Sequence, residues 1–296
     1  MSSLRPLLVL ALSLLASSTA SSLVACVGDE PAAIAAAPAD DAATTPTPGQ
    51  DASPGADTGT ADAADAGQDA APKRFCQTQA PLTGVTDFFC ADFDGTKADE
   101  GFTKALVPDG GAVTLTTDIF FSPPASLVTK GGATLLWEKV GATPFAEAEV
   151  NVRVNVGNLG GVVPPSTGSL VIVKMQSIDT HVDLRYTRGG SVAGSTYTGY
   201  YMQAVFCPGP CGIFEMPLTN QLPTNVWTNV QMIWQKTGAV KISFNGVSVL
   251  DATGAATGAA TTSTKLGVEL GTVAQGAPVG VGGHTFDNLI VSVKRD

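Results

Sequence analysis

The segment from residue 27 to residue 72 contains no aromatic residue, no basic residue and no cysteine, although nine of its residues are acidic. A chain of this composition buries too little apolar surface to offset the entropy that is lost on ordering. We therefore predict that residues 26–74 consist of Cys26 followed by a disordered tether. As a flexible coil, the forty-six residues 27–72 would reach about 35 to 40 Å.

Basic charge is scarce in the rest of the chain and is not concentrated. Residues 73–296 contain 15 basic and 17 acidic residues, so the acidic tether accounts for most of the net charge of −10. A nucleic-acid partner requires a concentrated basic face. The charge distribution therefore predicts that nucleic acid is not a partner of this protein.

The apolar run near the N-terminus is too short for a membrane-spanning helix. It covers residues 6–16, whereas a spanning helix needs roughly 20 apolar residues. Arg5 precedes the run and small residues follow it up to Ala25, which is the arrangement of an export signal. We predict that residues 1–25 are a signal peptide and that the protein is exported.

Leu23, Val24 and Ala25 end this leader, and Cys26 follows directly. This sequence resembles the bacterial lipobox, in which the cysteine is acylated and becomes the first residue of the mature chain. The resemblance implies a lipoprotein that is bound to a membrane through acylated Cys26. Residue 27 is valine and not an aspartate retention signal, so in a cell with two membranes we expect the outer membrane.

The cysteine count agrees with lipidation. The chain has five cysteines, and an odd number in an exported protein leaves one to be explained. Without Cys26, Cys76 with Cys90 and Cys207 with Cys211 form two local pairs that an oxidising compartment would allow to close. Four cysteines permit three connectivities, so local pairing is a preference. Zinc is the competing use at 207–211, but Pro-Gly-Pro separates those cysteines and no histidine is near.

The residues from Phe75 onward predict a domain built from strands. Residues 147–156 alternate strictly, with valine at every second position, which indicates a half-buried strand. Asn245-Gly246 and the segment 235–238 have the composition of hairpin turns. No segment shows a helical period over ten residues. Further predicted strands are Ala112 to Thr117, Ser126 to Lys130, Thr134 to Lys139, Ser169 to Ser177, Val182 to Thr187, Thr198 to Phe206, Trp227 to Gln235, Ala239 to Phe244, Val247 to Asp251, Lys265 to Gly271 and Thr285 to Lys294.

About a dozen short strands with Gly and Pro between them predict an all-β fold, namely an antiparallel β-sandwich or jelly roll. Four segments, in this order, suggest a family: FFCADFDG at 88–95, SPPASLVTK at 122–130, VKISFNGVSVLD at 240–251 and FDNLIVSV at 286–293. Together they resemble a bacterial concanavalin A-like lectin/glucanase domain, similar to laminin-G-like jelly rolls, over residues 75–296. The resemblance implies that the first and last strands are neighbours and that the concave sheet binds glycans.

Glycoside hydrolysis usually needs two carboxyl groups on either side of the scissile bond. The related β-glucanases carry them in a Glu-x-Asp-x-x-Glu pattern on one strand, and the sequence does not contain that pattern. Glu147 and Glu149 come nearest, but Asn151 and Arg153 follow them. A solvated polar strand face explains these residues without catalysis.

A second pattern places Asp179, His181, Asp183 and Arg185 at alternate positions, so one face of a strand would carry all four side chains. A jelly-roll polysaccharide lyase uses such groups: Tyr or His takes a proton beside a uronate whose charge an Arg neutralises. The arginine-rich and Gln-x-His strand signatures of such lyases are not matched. Alternating charges also serve solubility on an exposed strand.

Sugar binding needs aromatic rings for the C–H faces of the sugar and polar neighbours for its hydroxyl groups. We predict Tyr186, Tyr197 and Tyr201 as the aromatic contacts, with Arg185 and His181 as polar neighbours. The alternative is that these tyrosines are ordinary packing partners in strands. The sequence therefore favours a membrane-anchored, surface-facing, glycan-binding lipoprotein. The alternatives are a structural or protein-interaction lipoprotein with the same fold, and a polysaccharide hydrolase or lyase.

The resemblance also implies that Asp92 or Asp94, near the first strand, lies close to Asp287 in the last strand. We expect no required cofactor, but these three carboxylates together predict a structural Ca2+, for which backbone carbonyl groups and water would complete six to eight oxygen ligands. The alternative is that these aspartates bond backbone N–H groups in turns, as Asp often does beside Gly or Asn.

Overall fold

A computed structural model describes residues 74–157, 169–207, 210–275 and 284–296, except for the side chains of residues 272–275. The predicted signal peptide (1–25), Cys26 and the predicted tether up to residue 73 lie outside the described residues. The structural statements below concern the described part of the chain.

The described chain is almost entirely β-strand, and its strands form two antiparallel sheets. The eight-stranded sheet has the order β13-β12-β11-β6-β15-β4-β3, and β1 also pairs with β15. The seven-stranded sheet has the order β10-β9-β8-β7-β14-β5-β2. The strands are β1 Asp87–Ala91, β2 Lys104–Leu106, β3 Ala112–Thr116, β4 Ser126–Lys130, β5 Thr134–Val140, β6 Phe145–Val156, β7 Ser169–Gln176, β8 Thr180–Val192, β9 Ser195–Phe206, β10 Gly212–Pro217, β11 Trp227–Gln235, β12 Val240–Phe244, β13 Val247–Ala252, β14 Lys265–Gln275 and β15 His284–Arg295. Two single-turn helices, α1 Phe75–Thr78 and α2 Gly254–Thr257, complete the described elements.

The core lies between the two sheets and follows from alternation along the strands. In β6, Val150, Val152 and Val154 are completely buried, as the pattern of the sequence predicts. Trp234 of β11 is also fully buried, and its ring lies 5.0 Å from that of Phe145. The fold class predicted from the sequence, an antiparallel β-sandwich of the jelly-roll type, is confirmed.

The predicted strands all occur, with ends that differ by a few residues, and both predicted hairpins join strands. Asn245 and Gly246 have φ of 49° and 79°, the left-handed region that a two-residue hairpin turn requires. The strands predicted from alternation do not include β1, β2 and β10, although the resemblance implies a first strand near Asp92. These three strands are short, and they lie beside Gly- and Pro-rich segments that hide their pattern.

Two disulfides close within the described domain. Cys76 is bonded to Cys90, which ties α1 to β1, and Cys207 is bonded to Cys211, which links the end of β9 to the start of β10. The locally paired connectivity favoured by the sequence is therefore confirmed. Disulfides form and persist in oxidising compartments, which agrees with an exported protein. Neither described helix has the length and apolar character that crossing a bilayer requires.

Candidate functional site

Polar side chains cross the seven-stranded sheet on the face that points away from the core. In β8, Val182 and Leu184 belong to the core, so the intervening Asp183 projects from the opposite face. Strand pairing places Lys174 and Gln203 directly opposite Asp183, and it places Glu269 and Glu215 opposite those two residues in the next strands. We call this line the polar row; from β10 through β9, β8 and β7 to β14 it consists of Glu215, Gln203, Asp183, Lys174 and Glu269.

Members of the polar row bind one another across the strands. The Nε2 of Gln203 donates to Oε1 of Glu215 over 2.8 Å. The Nζ of Lys174 lies 3.4 Å from Oε2 of Glu269, whose Oε1 accepts a hydrogen bond of 2.8 Å from the hydroxyl group of Thr134. These contacts hold the side chains in fixed positions, so the row presents a pre-arranged set of donors and acceptors.

Asp183 and Arg185 form a buried ion pair beside the middle of the row. Asp183 is completely buried and Arg185 is 3% exposed. The Nε and Nη2 of Arg185 both donate to Oδ2 of Asp183, with Nε at 3.0 Å, and Nη1 donates to the hydroxyl group of Ser169. Oδ1 of Asp183 has no hydrogen-bond partner among the described residues. That oxygen is buried without a partner in the described part of the chain, which is one reason why burial raises the pKa of Asp183.

His181 lies on the same face, and its Nε2 is 3.5 Å from Oδ2 of Asp183. Burial raises the pKa of Asp183, and the charges of Arg185 and His181 oppose that rise. Burial lowers the pKa of His181, against the opposing charge of Asp183. A pKa below the usual value of about 6.5 leaves His181 uncharged at neutral pH.

The three predicted tyrosines have three different environments. Tyr201 is directly opposite Arg185 in the neighbouring strand and is 3% exposed. Tyr197 is half-buried, and its hydroxyl group donates to the carbonyl oxygen of Tyr200 and accepts from Nε2 of Gln221, both over 3.0 Å. The structure thus brings Tyr201 to the face of the polar row, whereas the hydroxyl group of Tyr197 is already bound by Tyr200 and Gln221.

The prediction that Tyr186 lines this face is wrong. Its side chain packs against the core, and its ring lies 5.0 Å from that of Tyr200. Tyr186 follows Arg185 directly, and successive residues of a strand project to opposite faces. The sequence also missed four members of the polar row, because only strand pairing aligns them; they are Lys174, Gln203, Glu215 and Glu269.

The second predicted site is at the edge where β1 pairs with β15, as the resemblance implies. Asp287 is completely buried there. Its Oδ2 accepts hydrogen bonds from the backbone N–H groups of Phe121 and Ser122, each over 2.9 Å, and from the hydroxyl group of Ser126 over 3.0 Å. Its Oδ1 accepts from the hydroxyl group of Ser122. Asp287 therefore anchors the loop before β4, as the alternative interpretation of these aspartates predicts.

Asp94 is the carboxyl group at this edge whose contacts are incomplete. It is 5% exposed, and its Oδ1 has no hydrogen-bond partner among the described residues. Burial raises its pKa to about 6, with further contributions from the charges of Asp92 and Asp287. Asp92 accepts from the backbone N–H groups of Cys76 and Asp94, each over 3.3 Å.

The carboxyl group of Asp94 is a better candidate ligand for a cation than that of Asp287. A free oxygen and a repulsive charge environment are what a cation relieves, whereas the oxygens of Asp287 already accept four hydrogen bonds. No group of three or more His, Cys, Asp or Glu side chains in the described residues is arranged to hold a metal ion. The structural Ca2+ stays a prediction, with Asp92 and Asp94 as its best-placed protein ligands.

Comparison with known proteins gives the fold but no family. No family profile matches the chain, and no curated protein matches it. The structure is similar to that of an endo-β-1,4-glucuronan lyase from the fungus Trichoderma reesei, with a TM-score of 0.50 and 16% identity, over 70% of this chain and 95% of that one. The likeness agrees with a jelly-roll sandwich.

Two further solved structures have lower scores. The cellulose-induced protein Cip1 gives a TM-score of 0.48 and 14% identity, over 69% of this chain and 96% of that one. Domain 4 of an extracellular arabinanase from Geobacillus stearothermophilus, solved with arabinotriose, gives 0.45 and 15%, over 70% of this chain and 91% of that one.

Proposed function

We propose that the domain binds a neutral polysaccharide on the face of the seven-stranded sheet that carries the polar row. The observation that carries this proposal is the row itself, which crosses five adjacent strands with its donors and acceptors already oriented. A sugar chain offers many hydroxyl groups, each both donor and acceptor. Lys174, Glu215 and Glu269 of the row and His181 beside it are partly exposed and can contact the sugar, whereas Asp183 and Tyr201 are buried beside them.

The charge balance of this face favours a neutral ligand over a polyanion. The polar row and Arg185 together contain three carboxylates and two cations. Each cation is already paired with a carboxylate, Lys174 with Glu269 and Arg185 with Asp183. His181 is uncharged at neutral pH because its pKa is lowered. No excess positive charge remains in this set to attract a uronate polymer.

The proposed setting of this binding is the cell surface. We infer that acylation of Cys26 attaches the chain to a membrane, the outer one in a cell with two, and that residues 26–74 act as a tether. The two disulfides support an exported domain. The glucuronan lyase that shares the fold is named for action on a polysaccharide, which is compatible with a glycan ligand here.

Two glutamines on opposite faces of the sandwich allow a matched test. Gln203 donates to Glu215 in the polar row, and Gln231 donates to Glu149 on the outer face of the eight-stranded sheet over 2.7 Å. The full mature chain with Cys26→Ser is run through gels that contain soluble arabinan, mixed-linkage β-glucan or polyglucuronate. We expect a neutral polymer to retard it. Gln203→Met should weaken binding about three- to tenfold, the effect of one hydrogen bond.

Gln231→Met should leave the affinity unchanged. Equal losses in both variants, or no retardation by any neutral polymer, would refute the proposal. In the second case the structural or protein-interaction alternative gains support. Retardation by polyglucuronate alone would show that charge on this face has been misjudged.

One observation keeps a lyase as the second candidate function. Tyr201 lies opposite Arg185, and His181 is on the same face, so the three residue types of the predicted lyase pattern are together. Against it, the guanidinium group of Arg185 is already bound to Asp183. Incubation with polyglucuronate tests this directly, since β-elimination creates an unsaturated uronate that absorbs ultraviolet light. Product formation that Tyr201→Phe abolishes would establish the lyase.

A further inference from the structure

The loop before β4 exposes three consecutive large apolar residues. Ile119, Phe120 and Phe121 have exposed fractions of 48%, 42% and 46%, and we call them the apolar tip. Val226, which is 50% exposed, precedes Trp227, whose ring lies 6.2 Å from that of Phe121. Single exposed apolar residues are ordinary, whereas a contiguous group marks an interaction site.

The apolar tip is held in place by a buried anchor. Asp287 accepts the backbone N–H groups of Phe121 and Ser122 and the hydroxyl group of Ser126. The guanidinium carbon of Arg153 lies 4.3 Å from the centre of the Phe121 ring. Exposed apolar groups that are fixed in advance lose little entropy when a partner covers them. The structure therefore holds the Phe121 end of the tip in place, and all three side chains of the tip are exposed to solvent.

The tip is connected to the point where the chain enters the domain. The carboxyl group of Asp94 accepts a hydrogen bond from the backbone of Ala125 in the tip's own loop, and its backbone N–H donates to Asp92. Asp92 also accepts from the backbone N–H of Cys76. Cys76 is two residues after Arg74, the first described residue. The end of the predicted tether and the loop of the apolar tip thus share one edge of the sandwich.

We propose that the apolar tip inserts into the surface of the lipid bilayer to which Cys26 is expected to be attached. A tether that enters the domain beside the tip brings the tip toward the bilayer. Its forty-six residues reach about 35 to 40 Å, so the domain can touch the bilayer or stand away from it. Apolar side chains that enter the boundary between headgroups and acyl chains gain the free energy of leaving water.

The packing of Phe121 favours lipid over a second sugar site. A sugar ring stacks on an open aromatic face, but the guanidinium group of Arg153 lies over the Phe121 ring. A sugar also needs polar neighbours for its hydroxyl groups, whereas the lipid interior needs none. Bilayer contact is also separate from the proposed glycan site, which lies on the other sheet.

The test uses the full mature chain with Cys26→Ser, so that binding does not depend on the acyl group. It is cosedimented with vesicles of phosphatidylethanolamine and phosphatidylglycerol. We expect measurable partitioning that the double variant Ile119→Ser/Phe120→Ser reduces about tenfold. The control Ile178→Ser/Val247→Ser removes side chains that are 74% and 59% exposed elsewhere and should partition like the parent. Equal partitioning of all three, or none by the parent, overturns the proposal.

Tryptophan fluorescence gives a second readout that needs no tip variant. Trp137 and Trp234 are 7% and 0% exposed, whereas Trp227 is only partly buried and lies beside the tip. Brominated lipids should therefore quench the emission of the parent, and Trp227→Phe should remove most of that quenching. Unquenched emission in the vesicle-bound protein would place the contact elsewhere. Loss of polysaccharide retention, instead of vesicle binding, in the tip variant would overturn the proposal in favour of a second glycan site.

Discussion

At the scale of single residues, the core contains a buried histidine whose hydrogen bonds are incomplete. His284 is completely buried, and its Nε2 lies 3.1 Å from the hydroxyl group of Tyr200. Its Nδ1 has no hydrogen-bond partner among the described residues. Burial lowers the pKa of His284 to about 3, because a charged imidazole would have to leave water for the core. His284 is therefore neutral in the folded protein.

This burial predicts that acidification destabilises the fold. The unfolded chain binds a proton at His284 below about pH 6.5, but the folded chain does not until about pH 3. Stability from this residue is present above the unfolded pKa and falls as pH decreases through that window, by up to about 1.4 kcal/mol per pH unit. Urea unfolding of the parent and of His284→Gln between about pH 7 and about pH 4 measures the difference.

The variant should lose less stability on acidification than the parent. The chain has two histidines, and the half-buried His181 supplies the control, because His181→Gln should change the pH profile less. Parallel profiles for the parent and His284→Gln would mean that His284 does not stay neutral in the fold.

At the scale of elements, the pairing of β1 with β15 brings Asp92 and Asp94, which follow β1, to the same edge of the sandwich as Asp287 of β15, which anchors the apolar tip. The backbone N–H of Cys76 bonds Asp92, so the Cys76–Cys90 disulfide holds the same edge. That bridge closes a loop with a sequence separation of 14, for which the chain-entropy estimate is about 3 kcal/mol. This edge combines a covalent tie, a buried loop anchor in Asp287 and one unsatisfied carboxyl group in Asp94.

The unsatisfied group predicts stabilisation by Ca2+. A cation that binds only the folded state raises stability by about 2.7 kcal/mol at a hundredfold excess over its Kd. We expect excess Ca2+ to raise the melting midpoint of the full mature chain with Cys26→Ser, and a chelator to reverse the shift. Asp94→Asn should abolish the Ca2+ response, whereas Asp109→Asn, at an exposed turn, should retain it. Identical midpoints with Ca2+ and with chelator would remove the predicted site.

At the scale of the whole molecule, charge and apolar surface are divided between segments. The forty-six residues 27–72 hold nine of the acidic residues, and residues 73–296 are nearly neutral. The domain has a polar row on one sheet and an apolar tip beside its entry point. Our proposals together describe a tethered domain that contacts the bilayer at one edge and a polysaccharide on the seven-stranded sheet.

Attachment through Cys26 makes the prediction at this scale. Cells that express the full chain are labelled with a fatty-acid analogue, and the membrane and soluble fractions are separated. The parent protein should carry label and sediment with membranes, because an acylated cysteine is its anchor. Cys26→Ser should carry none. Ser21→Ala, outside the four lipobox residues, should keep the label, and an unlabelled parent would show that the lipobox resemblance is accidental.

The sequence by itself determined the all-β class and the positions of most strands. Alternation in 147–156 is a local property, and it gave the buried face of β6 correctly, since a strand's side chains project with a period of two whatever lies beside it. The turn at Asn245-Gly246 is equally local, because its residues tolerate positive φ. Composition and cysteine spacing likewise predicted the tether and the paired cysteines, of which the pairing is confirmed.

Only the tertiary structure decided which side chains meet. The residues of the polar row lie on five strands that are up to 95 positions apart, from Lys174 to Glu269, and their alignment depends on register across four strand pairs. Sequence proximity suggested Tyr186 as a ligand contact, but it follows Arg185 in the strand, so its side chain projects to the opposite face and packs against the core. Asp287 and the N–H groups that it accepts are 165 and 166 positions apart. Long-range pairing of this kind leaves no local signal, because hydrogen bonds between strands form through backbone atoms that every residue carries.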